Sequence, residues 1–400
     1  MHPMVALALL TVGIASLLFS FVTQICVRII TTKRKRGGPT PPISVLKPLK
    51  GADDDLFENL SSLAAQDYPE FELVLGAEDA MDPALGVARR VARAFPHVRI
   101  TVVAGGDPIG HNPKVNNLAQ LFDAARHDWV LVSDADVRAG NEYLRAMAAE
   151  TRDPSVGLIS SVIVGIGERS FGATLDTLHM NGFIVSSVCA ADLLVDHPCV
   201  VGKSMLFRRS DLARLGGLDL VKDVLAEDYL LGRAFHRAGL KVALSGYAIS
   251  AVAGARRFGA FFSRHVRWSQ MRRHIARFHY IGEPLLLPTP WLVAALFVSL
   301  YAGRASGKLE LGIDAAALAS LVARCLSESL LAKYLRGRSL DVVDAFLVLV
   351  KDLIVTVPWI LGWFKTTVEW RGNLFRIGAD SLLTPVVDTA ESADAIQNQV

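Results

Sequence analysis

The sequence predicts an α/β protein, a mostly parallel sheet covered by helices, with one N-terminal and about three C-terminal transmembrane helices. Three observations carry this reading. Short apolar runs alternate with helical stretches between Pro41 and Tyr280, the pattern of a parallel sheet covered on both faces. Met4 to Val27 contains no charged residue. Hydrophobic residues make up 52% of the 400, a high share for a chain surrounded only by water.

The first element is the apolar leader. As a helix, Met4–Val27 reaches about 36 Å, enough for a ~30 Å hydrocarbon core. A cleaved signal peptide carries its charges before the apolar run. Here Arg28, Lys33, Arg34, Lys35 and Arg36 follow it, and by the positive-inside rule they hold the next domain in the cytoplasm. Strands are predicted at Ile43–Leu49, Phe71–Asp79, Val98–Gly106 and from Trp129, with helices at Asp55–Ala65, Pro83–Ala94 and Pro113–Arg126. Later spans are expected at Leu285–Ala302, Leu311–Leu326 and Val342–Phe364. The last two stretches hold Asp314, Arg324, Asp344, Lys351 and Asp352. Such charges are costly in lipid unless they face protein or water, so the third span is able to be partly interfacial. The tail after Gly378 reads as polar and disordered. The expected units are a 1–37 anchor with its basic stop, a 38–280 cytoplasmic domain, 281–378 membrane helices and a 379–400 polar tail.

Composition excludes several classes. A net charge of +3 gives no case for nucleic acid. Four scattered cysteines with no CxxC pair suggest neither a zinc site nor a disulfide framework. No GxGxxG follows the first strand and no GxxxxGK[ST] occurs, which weakens a dehydrogenase or P-loop reading.

Chemistry is concentrated in a few stretches. "WVLVSDADVRAG" sets Asp134 and Asp136 at the end of a core-like strand, where ligands bind in open α/β sheets. Two close carboxylates repel, and a hard divalent cation held there would neutralise them while bridging a diphosphate. The plainer reading is that either Asp caps the next turn. Asp79 falls at another strand end. In "VLAEDYLLGRAFHRAG", Glu227 and Asp228 open an amphipathic helix. They serve either as ordinary first-turn acids or, in the case of Asp228, as a general base facing the cleft. In "RHVRWSQMRRH", Arg264, Arg267 and Trp268 are placed to reach a diphosphate and an acceptor. Arg272, Arg273 and Arg277 read as a juxtamembrane surface on anionic lipid.

The ordered set "AED" at Asp79, "SDAD" at Asp134–Asp136, "AEDY" at Asp228 and "RHVRW" at Arg264–Trp268 resembles the D, D, D, (Q/R)xxRW signature of lipid-linked and processive glycosyltransferases with the GT-A fold. More narrowly the chain resembles the ceramide glucosyltransferases, glycosyltransferase family 21, of a bacterial type. The matching stretches include "SVLKPLKG", "NPKVNNL", "GKSMLFRRSDL", "LAEDY" and "VEWRG". The resemblance implies a UDP-sugar donor, UDP-glucose, bound by Asp79 and the "NPKVNNL" segment, with Lys114 as a phosphate or ribose contact. It implies Mg2+ or Mn2+ at Asp134 and Asp136. It implies that Asp228 deprotonates the primary hydroxyl of ceramide for an inverting displacement, at an integral protein of the bacterial inner membrane. The animal enzymes have Asp-Ser-Gly where this chain has "DAD", so metal use is open, and the role of their His-Pro histidine is not transferred to His197. The apolar stretch Asn181–Val201 is expected either at the membrane interface beside the acceptor entrance or as a core helix. Alternatives are a hopanoid or other lipid glycosyltransferase using UDP-N-acetylglucosamine, a polysaccharide synthase, and a non-catalytic scaffold. Oligomeric state is not readable.

Overall fold

The computed structural model describes residues 2–386 apart from 36, 54, 196, 198, 307–310 and 371. Arg36, Asp196, Arg371 and the tail from 387 lie outside the described residues. Helix α1 (His2–Thr32) leads into β1 (Ile43–Leu49), α2 (Leu56–Ala64), β2 (Phe71–Ala77), α3 (Ala84–Ala94), β3 (Arg99–Ala104), α4 (Pro113–Ala124) and β4 (Trp129–Val132). Next come β5 (Val137–Arg138), α5 (Tyr143–Ala149), β6 (Val156–Glu168), α6 (Phe171–His179), a π turn (Met180–Ile184) and α7 (Val185–Val195). They are followed by β7 (Met205–Arg208), α8 (Arg209–Arg214), α9 (Glu227–Arg237) and β8 (Lys241–Gly254). The chain closes with α10 (Phe258–Ile275), α11 (Arg277–Gly282), a tight turn (Glu283–Leu286), α12 (Pro288–Ser306), α13 (Leu311–Arg336), α14 (Val342–Phe364), β9 (Thr367–Trp370), β10 (Asn373–Ile377) and β11 (Leu383–Pro385).

The sheet order is β3-β2-β1-β4-β7-β6-β8-β5. The first four strands are parallel. The sheet is mixed beyond them, because β7 starts at the rim where β4 ends, with Met205 opposite Val132, and therefore runs back. One face is packed by α2, α3 and α5 through Leu60, Ala88 and Tyr143. The other is packed by α4 and α9 through Val115, Leu118 and Phe235. Double-sided burial explains why β4 reads as an unbroken apolar run and why every residue of β1, Ser44 and Lys47 included, is buried.

Among the described residues four helices are long and apolar enough to cross a membrane: Pro3–Thr32, Phe171–Val195, Leu311–Arg336 and Val342–Phe364. Arg277–Leu286 and Pro288–Arg304 qualify as a bent pair at 52°, so the span expected from Leu285 begins at Pro288 after a tight turn. Helix α13 runs ten residues past the expected Leu326, because its charges face protein. Arg324 is buried between Asp352 (3.1 Å) and Glu328, and donates to Ser20 Oγ (3.0 Å). Thr289 donates to Asp352 at 2.7 Å. The costly residues of α13 and α14 thus neutralise one another inside the bundle. The helix run Phe171–Val195 covers most of the apolar stretch expected at Asn181–Val201. More than half of its apolar window is buried, whereas Leu194 and Val195 at its end are exposed.

The residues just after Gly378 are ordered, against expectation. Strands β9, β10 and β11 form a small antiparallel sheet whose Val368, Phe375, Ile377 and Leu383 pack on Leu225. The reason is that Leu383, past Gly378, completes a small core begun by Val368, Phe375 and Ile377 before it. Between these strands Asp380 and Ser381 adopt φ of 50° and 61°, a region non-glycine residues rarely occupy. Buried Ser381 accepts from Leu225 N at its carbonyl (2.9 Å) and from Ala226 N at its hydroxyl (3.0 Å).

Candidate active site

The carboxyl ends of β1 and β4, the start of β7 and the start of α9 converge on one cleft. Asp134 and Asp136 leave β4 with side chains 30% and 29% exposed. Each faces a lysine: Lys114 Nζ lies 2.8 Å from Asp134, and Lys203 Nζ 2.6 Å from Asp136. Lys114 also reaches Glu227 at 2.9 Å. Burial opposes its charge, but Asp134, Glu227 and Asp228 outweigh burial and keep the ammonium protonated. Burial likewise opposes ionisation of Asp134, and Lys114 with Lys203 reverses it, holding the carboxyl low. A third lysine, Lys47, lies buried in β1 and donates to Ser133 Oγ (3.4 Å) and the Val137 carbonyl (3.3 Å). Burial, only partly opposed by Asp136 and Asp134, pushes its ammonium down to about 7.

Asp228 opens α9. Its oxygens accept from Gly202 N (2.6 Å) and Tyr229 N (2.7 Å). Burial first, then the Glu227 carboxylate, raises it to about 7. Gly202 leaves no room for a side chain, since an added Cβ would sit 2.9 Å from Lys114 Nζ and 3.0 Å from Asp228. His197 approaches the Tyr229 hydroxyl at 3.2 Å.

Of the other expected residues, Asp79 is exposed just past β2 and accepts from Met81 N at 2.8 Å. In "NPKVNNL", Lys114 faces the acids, but the asparagines are spent on backbone. Asn112 caps α4, Asn116 accepts from Ile109 and Gly110, and Asn117 donates to Leu49 and Gly76 carbonyls. On α10, Arg264 lies over the Trp268 ring at 4.3 Å and near Asp176 at 3.7 Å. Arg267 and Trp268 are half-buried, and Trp268 packs on the domain core. Arg272 and Arg273 are not a lipid surface. Arg272 grips Glu283 (2.6 and 3.1 Å), and Arg273 caps the last carbonyls of α14, Gly362 (3.1 Å) and Trp363. Helix α10 packs against α14 rather than lying alone on a bilayer, which is why these arginines turn inward.

Sequence reasoning missed Lys47, Lys203, Asp176 and Arg256. The signal for Lys47 was a lysine inside an otherwise apolar strand. Asp176 takes Arg256, Arg264 and His265 together, a set spread over 89 residues that no local pattern exposes.

A model of glycosyl transferase family 21 matches residues 8–383. The chain belongs to that family. Among family-like relatives, ceramide glucosyltransferase 3 of Caenorhabditis elegans is 24% identical over 357 residues, 88% of this chain and 76% of that protein. Ceramide glucosyltransferase of Komagataella phaffii is 30% identical over 335 residues, 66% of this chain and 65% of that protein. The solved mannosyltransferase PcManGT from Pyrobaculum calidifontis, in complex with GDP-Man and Mn2+, superposes with a TM-score of 0.51 at 18% identity, covering 91% of this chain and 99% of its own. That likeness shows the GT-A fold. The family 21 chain is therefore a glycosyltransferase.

Proposed function

We propose that the protein transfers glucose from UDP-glucose to the primary hydroxyl of ceramide, with inversion at the anomeric carbon. The observation that carries it is the convergence of Asp134, Asp136, Lys114 and Asp228 at one cleft, in a chain similar along most of its length to ceramide glucosyltransferases. Asp228 accepts the hydroxyl proton as the acceptor oxygen bonds to the anomeric carbon. The bond from that carbon to the diphosphate breaks, and UDP departs. Gly202 N and Tyr229 N hold the carboxylate in place while Lys114 and Lys203 supply positive charge on the diphosphate side.

The donor set fits a hard divalent cation. Two partly exposed carboxylates retain free acceptor positions, and such ions complete their shell with water and substrate phosphate. Among the described residues no cluster of three or more acidic, His or Cys ligands exists, so Asp134 and Asp136 would hold Mg2+ or Mn2+ only together with substrate. The bound ion supplies charge neutralisation at the leaving diphosphate.

We place the 38–280 domain on the cytoplasmic face of a bacterial inner membrane. This rests on the basic residues after α1, of which Arg34 and Lys35 pair with Glu142 (2.6 Å) and Glu150 (2.7 Å) of that domain. The test is purified protein in mixed micelles with UDP-glucose and ceramide, followed by mass spectrometry of the lipid. Glucosylceramide that disappears with EDTA and returns with Mn2+ supports the whole reading. Transfer that persists in excess EDTA removes the metal and leaves the diphosphate to the lysines and arginines. UDP release without a glycosylated ceramide overturns the acceptor.

A further inference from the structure

Helix α6 is pinned at both ends. Asn181, just past it, donates to the Gly165 carbonyl (3.0 Å) and accepts from Gly165 N (2.7 Å), which ties it to β6. Ser170 caps its start and donates to the Arg256 carbonyl at 2.5 Å. Gly172 packs on the same group, since an added Cβ would sit 2.6 Å from the Arg256 carbonyl oxygen. The loop carrying Arg256 is therefore fixed against α6. Near the end of β8, just before that loop, Val252 N donates to the Asp136 carbonyl at 2.8 Å, which holds the loop beside the acid–lysine cluster as well.

Buried Asp176 stands within α6. One of its oxygens takes Arg256 and has Arg264 at 3.7 Å, and the other lies 3.1 Å from His265 Nε2. His265 in turn meets the Trp268 ring edge-on at 5.2 Å. One carboxylate thus gathers both arginines and braces the signature helix behind them. The arginines are not consumed by this. Their side chains are 21% and 16% exposed. Among the described residues the Arg256 guanidinium donates only to Asp176, and that of Arg264 has no hydrogen-bond partner. Asp136 and Lys203 share a narrow hollow with Asp176, Arg256 and Arg264, so three cations face two carboxylates there. The hollow is too narrow for a substrate group, and a ligand must meet the exposed edges of the arginines. Two guanidiniums with free donors and a surplus positive charge, beside the carboxylates of the cleft, suit an anion with two phosphates.

We propose that Arg256 is a second diphosphate-contacting arginine beside Arg264, and that Asp176 is the positioning residue that holds the two together. Side by side the guanidiniums repel, and the carboxylate on a pinned helix keeps them paired. This rests on the UDP-sugar reading above.

The test uses the full chain in micelles and measures binding of UDP and of uridine by calorimetry, then transfer from UDP-glucose to a short-acyl ceramide. Arg256→Met should weaken UDP binding about tenfold or more, the loss of one charge-assisted hydrogen bond, and leave uridine binding unchanged. Arg256→Lys keeps the charge without the fork and should fall between it and wild type. Asp176→Asn releases the pair and should show the same phosphate-selective loss with a lower kcat. Asp176→Glu keeps a carboxylate and should recover part of it. The acceptor KM should stay unchanged throughout. UDP binding unchanged in Arg256→Met overturns the second contact. Uridine binding lost in step with UDP in Asp176→Asn means that Asp176 only supports the fold, and overturns its positioning role. If Asp176→Asn is recovered poorly, Arg256→Met still decides, because Asp176 keeps Arg264 and His265 in that variant. Wild type that binds no UDP overturns the UDP-sugar reading, and this proposal falls with it.

Discussion

At the scale of single residues, the cleft is a balance of three lysines against four acids. Asp228 is pushed upward, because burial penalises its charge and Glu227 stands beside it. A base works only when deprotonated, so transfer should rise with pH through about 7 and level off above it. A kcat/KM profile for lipid transfer checks this, and Asp228→Asn should lower turnover by ~10²-fold or more while UDP-sugar binding is kept. A mutant with near wild-type turnover removes Asp228 from the role. Lys203→Met should weaken donor binding, measured as UDP-glucose KM, because it strips the ammonium from Asp136. The carboxylates were legible because an Asp-x-Asp closing an apolar strand is locally conspicuous. Their lysine partners were not. Lys114 and Lys203 are 20 and 67 residues from the acids they pair with, and a lysine in a loop looks like any solvated lysine until the fold buries it.

At the scale of elements, the strands and helices from β1 to α4 were readable to within two residues, since β1 and α2–α4 are buried in simple periodic ways. What the pattern hid was contact across the chain. Helix α10 read as a basic face for lipid, yet Arg272 and Arg273 serve Glu283 and the end of α14. The two half-buried residues of its motif, Arg267 and Trp268, give a direct prediction. Arg267→Lys keeps charge but loses the planar fork and should impair transfer clearly. Trp268→Ala removes the surface on which Arg264 lies and should lower transfer more than acceptor-free hydrolysis of the UDP-sugar. Equal loss of both activities with reduced membrane partition would mean that Trp268 only anchors the helix. The strap formed by β9 to β11 was equally hidden, because its meaning lies in Ser381 meeting Ala226, two residues before Asp228, over a separation of 155. Ser381→Ala leaves the Ala226 N–H without its acceptor and should reduce kcat several-fold with donor KM unchanged.

At the scale of the whole molecule, both ends of α14 meet the catalytic domain side. Its preceding turn is tied there through Arg336 and Arg338 to Glu168 (2.6 and 3.0 Å), and the residue just after it through the Lys365 carbonyl, which accepts from Gln270 (3.0 Å). The strap that follows packs on Leu225, so the C-terminal segment and the cleft share one side of the membrane. The arrangement expected from these ties is that α1, α12 and α13 make the crossings, with α14, though long enough to cross, lying along the boundary. Cysteine labelling tests it: Leu311→Cys, exposed at the far turn, should react with an impermeant maleimide from the side opposite Asp380→Cys. Reaction of both from one side sinks the arrangement. The strap has a consequence for how the enzyme is made. Residues 379–383 leave the ribosome only after α12, α13 and α14, and they close the segment that carries the base. A nascent chain whose final helices are still unthreaded has every acid and lysine of the cleft but no clasp on Asp228. Full catalytic competence is thus expected only after membrane integration, and a truncated or mis-threaded chain should turn over sugar nucleotide more slowly.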